Sequence, residues 1–369
     1  MNKKIVALAV AAAFAIPAAA SAQVTLYGQF KYEVGAIEGG DLGIAIDENG
    51  DAVFTMGDTD RNAVHSSIGT RIGIRGSEDL GGGLQGIFRF QGNFNNVNTG
   101  LGGTTYGMDE EAWVGLQGGF GRVLLGRSDT AFKQGNIPFR AFADTLADLN
   151  NRPASFGRAE GVHYVTPDFG GLTVAATVEP NGSEFDAYWS LGAIYRQGPL
   201  FVSAAVESAA DTGVYTGGLV RLPVVDADGE QIVDAEGDDA FFNTGLYTGA
   251  GKTIVEDNTN WQVGATYTWN DVTFGALYQD IEDVAKWVTV PVTYRMGNVG
   301  LRAAVQYRDR DYADSMTNVA VGASYHFSGR TEAFVNVWND DELDLIRTPA
   351  GANGADADTH VGLGLRHSF

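Results

Sequence analysis

From Gln23 onward the chain alternates. Val24, Leu26, Gly28, Phe30, Tyr32 and Val34 hold the even positions, and Gln23, Thr25, Tyr27, Gln29, Lys31 and Glu33 the odd ones. Successive side chains of a pleated strand leave on opposite sides, so this is a strand with one apolar face. The pattern recurs to the end. Ile72 and Ile74 alternate with Arg71 and Arg75, Phe88 and Phe90 with Arg89 and Gln91, and Leu301, Ala303 and Val305 with Arg302 and Gln306. About sixteen such runs begin near residues 23, 66, 83, 108, 121, 158, 171, 184, 199, 259, 271, 285, 299, 316, 330 and 358. Beyond residue 22 no apolar run reaches the roughly 18 residues that a membrane-spanning helix needs. The fold class is all-β.

The connections alternate in length. One set is tight, at 79–82, 118–120, 167–170, 197–198, 270–271, 297–298 and 328–329, and is built of Gly, Asn, Asp and Ser suited to hairpins. The other set is longer, at about 37–65, 95–107, 128–157, 180–183, 209–258, 280–284, 309–315 and 340–357. Short turns at one end and long loops at the other are the layout of an antiparallel up-and-down transmembrane β-barrel with periplasmic turns and extracellular loops. A soluble sandwich would have no reason to sort its loops by parity. An arginine facing lipid at mid-bilayer costs about 2–4 kcal/mol, so Arg71, Arg75, Arg89, Arg302, Arg308 and Arg366 should point inward and the apolar series outward. Sixteen strands leave a lumen wide enough for water.

The first 22 residues read as a signal peptide: Lys3 and Lys4, an apolar run from Ile5 to Ala20, and an Ala20-Ser21-Ala22 site with cleavage expected after Ala22. Residues 23–369 then form the barrel, exported to the outer membrane. The chain has no cysteine and a formal charge of −22, which disfavours nucleic acid as a partner.

Several stretches are similar to the general trimeric porins of the Gram-negative outer membrane: VTLYGQFKYEV after the leader, SSIGTRIGIRGSEDLGGGLQGIFRFQGNF, EEAWVGLQGGFGRVLLGRSD, and the terminal Phe369. The resemblance implies a sixteen-stranded barrel, a homotrimer and passive diffusion of small hydrophilic solutes and ions. It also implies that the third long loop, 128–157, folds into the barrel and that its acids face a basic ladder on the wall. Arg71, Arg127 and Arg158 match that ladder. The basic residue that often follows LYG is Gln29 here, and Lys31 on the same inward face stands in for it. The expected pore constriction is therefore Lys31, Arg71, Arg75, Arg89, Arg127 and Arg158 opposite Asp129, Asp144 and Asp148. Phe132, Ile137, Phe139, Phe142, Leu146 and Leu149 are apolar for a solvated loop, which fits a segment folded against the inner wall. In this family the barrel-assembly machinery reads a terminal aromatic, here Phe369 at the end of the alternating VGLGLRHSF.

Loop 209–258 is strongly acidic, as are 37–65 and 340–357. Such loops could bridge to lipopolysaccharide through divalent cations and enrich cations at the mouth, which points to weak cation selectivity. DADGEQIVDAEGDD (226–239) lacks the spacing of an EF-hand. His65, His163, His326, His360 and His367 form no metal-ligand pair, and GTRIGIRG lies within a strand with no helix after it, unlike a phosphate loop. No enzymatic activity, metal or cofactor is expected. The rival reading is a substrate-selective porin for a sugar, phosphate or organic anion. Its aromatic track would draw on Tyr27, Tyr188, Phe201, Trp287, Phe334 and Trp338, all on the inward parity.

Overall fold

The computed structural model describes residues 23–37, 41–46, 52–57, 62–98, 104–148, 157–180, 188–209, 219–223, 241–247, 258–282, 285–310, 313–339 and 359–369. The expected leader, 1–22, lies outside them. The first strand is β1 (Gln23–Ile37). A hairpin of β2 (Asp41–Ile46) and β3 (Ala52–Gly57) follows, and then β4 (Asn62–Ser66) and β5 (Arg71–Gly81). The wall continues through β6 (Leu84–Asn98), β7 (Thr104–Gly118), β8 (Gly121–Asp129), β9 (Arg158–Val165), β10 (Leu172–Glu179), β11 (Tyr188–Gln197) and β12 (Leu200–Ala209). A second hairpin, β13 (Leu219–Pro223) with β14 (Phe241–Tyr247), stands apart from it. The wall is completed by β15 (Asn258–Trp269), β16 (Val272–Ile281), β17 (Ala285–Met296), β18 (Val299–Arg310), β19 (Ala313–His326), β20 (Thr331–Asn339) and β21 (Thr359–Ser368).

Each wall strand pairs antiparallel with the next, and β21 returns to β1, from Gln29↔Ser368 to Ala36↔Val361. Closure satisfies every edge, which a sheet in lipid requires because no water is available to the free N–H and C=O groups. Both β4 and β5 pair with β1, so together they are one stave interrupted at 67–70, and the barrel has sixteen staves. The interruption puts four residues of the second stave, 67–70, opposite three of β1 (Phe30, Lys31 and Tyr32). The Thr70 hydroxyl bridges the gap, accepting from Lys31 N at 3.1 Å and donating to Lys31 O at 2.8 Å. The stretch 37–65, read from sequence as one loop, thus contains a hairpin and the upper half of a stave. Likewise 209–258 contains β13, β14 and the first residue of β15.

Alternation sorts the faces. Leu26, Phe30, Leu125, Leu363 and their counterparts are exposed on the outside, while Gln262, Gln279, Gln306, Asn318 and Asn336 are buried inside. Exposed aromatics gather at the tight-turn end, at Phe120, Phe169, Trp269, Phe327 and Phe369, as an interfacial girdle does. Phe369 extends the closing seam by two hydrogen bonds to Gly28, from Phe369 N to Gly28 O at 3.0 Å and from Gly28 N to Phe369 O at 3.1 Å. Its ring covers Gly28, where a Cβ would lie 2.6 Å from the ring edge.

Candidate channel constriction

The segment after β8 turns into the barrel. Thr130 caps a short helix, Ala131–Asn136, by accepting from Lys133 N at 3.1 Å, and a 3-10 turn, Ile137–Phe139, follows. Three phenylalanines fix it to the wall. Phe132 packs with Ala205 and Ile281, Phe139 with Phe201 and Leu277, and Phe142 with Ala304, Ala320 and Trp338. Glycine on the inner face makes room. A Cβ at Gly264 would lie 2.5 Å from the Phe139 ring, and one at Gly322 would lie 3.0 Å from the Phe142 ring. Polar contacts continue around the wall: Ser203 Oγ donates to Gly135 O at 2.7 Å, Gln262 Nε2 to Phe132 O at 2.5 Å, and Arg366 Nη2 to Ala143 O at 3.2 Å. Finally Leu146 N donates to Glu33 Oε2 at 3.0 Å. The loop therefore crosses from β10 round to β21 and β1, and leaves the opposite arc, β5 to β9, facing water.

A cavity of about 700 Å³ lies between the loop and that arc. Its charged lining is Arg71, Arg75, Arg89, Lys133, Arg140 and Arg158, six bases, against Glu110, Glu111, Asp129 and Asp144, four acids. Most are joined in an alternating chain. Arg71 contacts Asp144 at 3.0 Å and Glu110 at 3.9 Å; Arg158 contacts Glu110 at 2.9 Å and Asp129 at 3.0 Å; Asp129 contacts Lys133 at 2.8 Å. Arg89 joins from β6, with Glu111 at 3.2 Å, the Tyr27 hydroxyl at 2.6 Å and Gln91 at 2.7 Å.

Asp144 reaches Arg71 because the β4–β5 interruption makes a notch. Gly69, at φ +83, sits where a Cβ would lie 2.4 Å from Asp144 Cβ. Asp144 itself adopts φ 61, a left-handed conformation that aspartate tolerates better than most residues. Burial opposes its charge, but Arg71, Arg140, Arg366 and Lys31 outweigh it and hold the carboxyl below the usual aspartate range. Lys133 is shifted down, because burial outweighs the neighbouring Asp129.

The sequence profile of Gram-negative porins matches residues 7–344. The chain belongs to the Gram-negative porin family. It is 28% identical over 389 aligned residues to the major outer membrane protein P.IB of Neisseria meningitidis serogroup B, covering all of both chains. It is 27% identical to the P.IB protein of Neisseria sicca, again over the full length of both. Among solved structures, the anion-selective porin from Comamonas acidovorans superposes with TM-score 0.59 at 20% identity, covering 95% of this chain and all of that one. OmpT of Vibrio cholerae lacking loop L8 gives TM-score 0.59 at 17% identity, covering 94% and 99%. This porin is thus an outer-membrane channel.

Of the residues singled out from the sequence, Arg71, Arg75, Arg89, Arg158, Asp129 and Asp144 meet at the cavity. Lys31, Arg127 and Asp148 do not line it. Lys31 is fully buried and pairs with equally buried Glu33 at 3.0 Å, behind the loop. Asp148 is turned back to Arg140 within the loop and accepts from Asp144 N at 3.1 Å. Arg127 shares the alternation of exposed Leu125, with Ala112 and Glu160 as its register partners. Asp129 escapes that parity because β8 ends there and the chain turns inward.

Sequence reasoning missed Glu110 and Glu111. Between Gln91 and Asn93 the β6–β7 register shifts, so Gln91 pairs with Glu111 but Asn93 with Gly107, and the bulge lets both adjacent acids line the cavity. Two neighbouring glutamates in an alternating strand were the available signal. Arg302 and Arg308 point inward as expected, but they pack over rings, Arg302 at 5.0 Å from Phe142 and Arg308 at 4.6 Å from Trp287.

Proposed function

We propose that the charged chain between loop and wall is the pore's selectivity element, with Arg71, Arg75, Arg89 and Arg158 on the wall and Asp144 and Asp129 at the loop's edge. The observation that carries this reading is the shared cavity lined by both signs at the loop's open edge. Opposed charges across a narrow aqueous gap orient dipolar solutes and disfavour apolar ones. The excess of bases in the lining gives the constriction a preference for anions. That is opposite to the cation preference expected from the acidic loops, much of whose length lies outside the described residues. The Comamonas acidovorans relative, described as anion-selective, fits the same sign.

The test is reversal potential in planar bilayers under a salt gradient. Arg71→Gln and Arg158→Gln should each move it toward cations, whereas Arg127→Gln should leave it in place. An unchanged potential in both wall variants would remove them from the selectivity element.

A general pore is favoured over one with an aromatic track for a sugar by the fate of the inward aromatics. Tyr27 lines the cavity, but Tyr188, Phe201, Trp287, Phe334 and Trp338 are all buried, and Phe201 and Trp338 serve as loop anchors, so together they offer a solute no continuous track. Liposome swelling should fall smoothly with sugar size. Saturation by one sugar would favour the selective reading. The exposed apolar outer wall and the family support a homotrimer set in outer-membrane lipid and lipopolysaccharide, and Phe369, seated on Gly28, is the proposed signal to the barrel-assembly machinery. A heat-modifiable, trimer-sized band in mild detergent tests the first. Deleting Phe369 should lower insertion without changing the conductance of inserted channels.

A further inference from the structure

A second cavity, of about 370 Å³, opens beside the first toward the tight-turn end of the barrel. Arg75 and Arg89 line both cavities, and Arg122 lines only the second. The two spaces differ in balance. Four acids line the constriction, and the second cavity has none among the described residues. Arg89 is compensated by Glu111 at 3.2 Å. Arg75 has no acidic partner among the described residues and lies over the Tyr27 ring, 5.1 Å from its centroid. The Arg122 side chain makes no hydrogen bond or ion pair among the described residues, and its Nε is buried with no partner. No acid lines the recess to compete for these guanidinium groups, and Thr25 and Gln117 beside them add neutral donors.

We propose that this recess is an anion-binding subsite for small dianionic oxyanions such as phosphate or a dicarboxylate. Arg122 and Arg75 supply the charge-assisted hydrogen bonds, and Arg89 hands the anion over from the constriction. Arg122 and Arg75 each lack a direct ion pair among the described residues, although the charge of Glu111 reaches Arg122, and the planar fork of arginine matches a pair of oxyanion oxygens. The subsite sits to one side of the constriction, so its occupancy makes anion passage depend on direction. The inference rests on the reading of the lumen as an anion path, but not on the constriction setting the selectivity.

The test uses the intact channel in planar bilayers, with chloride carrying the current and inorganic phosphate near pH 8 added to one side at a time. Each variant is normalised to its own phosphate-free conductance. Phosphate should reduce the chloride current at lower concentration from the tight-turn side than from the other. Arg122→Gln should raise the half-inhibiting concentration about tenfold, the loss of one hydrogen bond to a charged group. Arg122→Lys should recover part of that loss. Arg71→Gln, which tests the constriction, should move the reversal potential and leave the half-inhibiting concentration within about twofold, a difference of roughly 0.4 kcal/mol. Half-inhibition unchanged in Arg122→Gln, or equal block from both sides, would overturn the subsite whatever Arg71→Gln does.

Discussion

The loop after β8 has two edges that obey different physics. Along β10 to β20 it is held by Phe132, Phe139 and Phe142, with glycines opening the wall to receive them. Along β5 to β9 it carries Asp129, Lys133, Arg140 and Asp144 into a cavity lined by wall arginines and glutamates. The dry edge packs the loop against the wall, and the wet edge borders the cavity. Apolar packing is non-directional and strong when buried, whereas charges lining a cavity act mainly through the local field they set. Changes at the dry edge should therefore alter pore size, and changes at the wet edge should alter charge preference at nearly constant size.

The largest effect should come from emptying a socket. Phe139 is fully buried against Phe201 and Leu277. Phe139→Ala should weaken the loop's seat by about 3–5 kcal/mol, as large-to-small changes in packed sites do. The hairpin ladder of the wall is untouched, so the barrel should still assemble, with higher and noisier single-channel conductance and faster protease cleavage within the loop. Unchanged conductance and cleavage would show that the dry edge does not hold the loop.

Next comes the buried pair behind the loop. Glu33 neutralises Lys31 and also accepts from Leu146 N, so it serves the wall and the loop together. Glu33→Ala leaves a cation without its partner in a dry place, at a cost of about 3 kcal/mol or more. The loss should appear as a lower unfolding temperature of the barrel in detergent. A second change, Lys31→Met, should restore part of it. If the double variant is no more stable than the single, the pair is not the source of the loss.

Much of this division was legible in the chain. The period of two fixed the strands and the outward face, and the parity of loop lengths fixed the two ends. The phenylalanines of 128–157 marked the loop as one with a wall to rest on. What alternation could not deliver were the places where it breaks. Thr70 and Gly69 make the notch for Asp144 because the second stave carries an extra residue there. Glu110 and Glu111 both reach the lumen because β7 bulges, and Asp129 turns in while Arg127 does not because Asp129 is the last residue of β8. Lys31 obeys the inward parity, yet the loop that covers it arrives from more than 100 residues away, so burial at that position was hidden from any local pattern.

The smallest expected effect separates the two edges by pH. Asp144 belongs to the wet edge, and its partners hold its pKa below that of a free aspartate, against the opposing effect of burial. A carboxyl whose folded-state pKa is depressed contributes fully at neutral pH, and its contribution disappears as pH falls through the depressed value. The Asp144 contribution to selectivity should therefore stay constant from pH 7 down to about 4, the ordinary aspartate value, and fade only below it. Measured as the difference in reversal potential between the wild-type channel and Asp144→Asn, it should be flat across that range, with the variant displaced toward anions throughout. Conductance should change little, because the phenylalanine seats do not titrate. A difference that vanished above pH 5 would mean that Arg71 does not hold Asp144 in its charged form, and a large change in conductance would mean that the wet edge positions the loop after all.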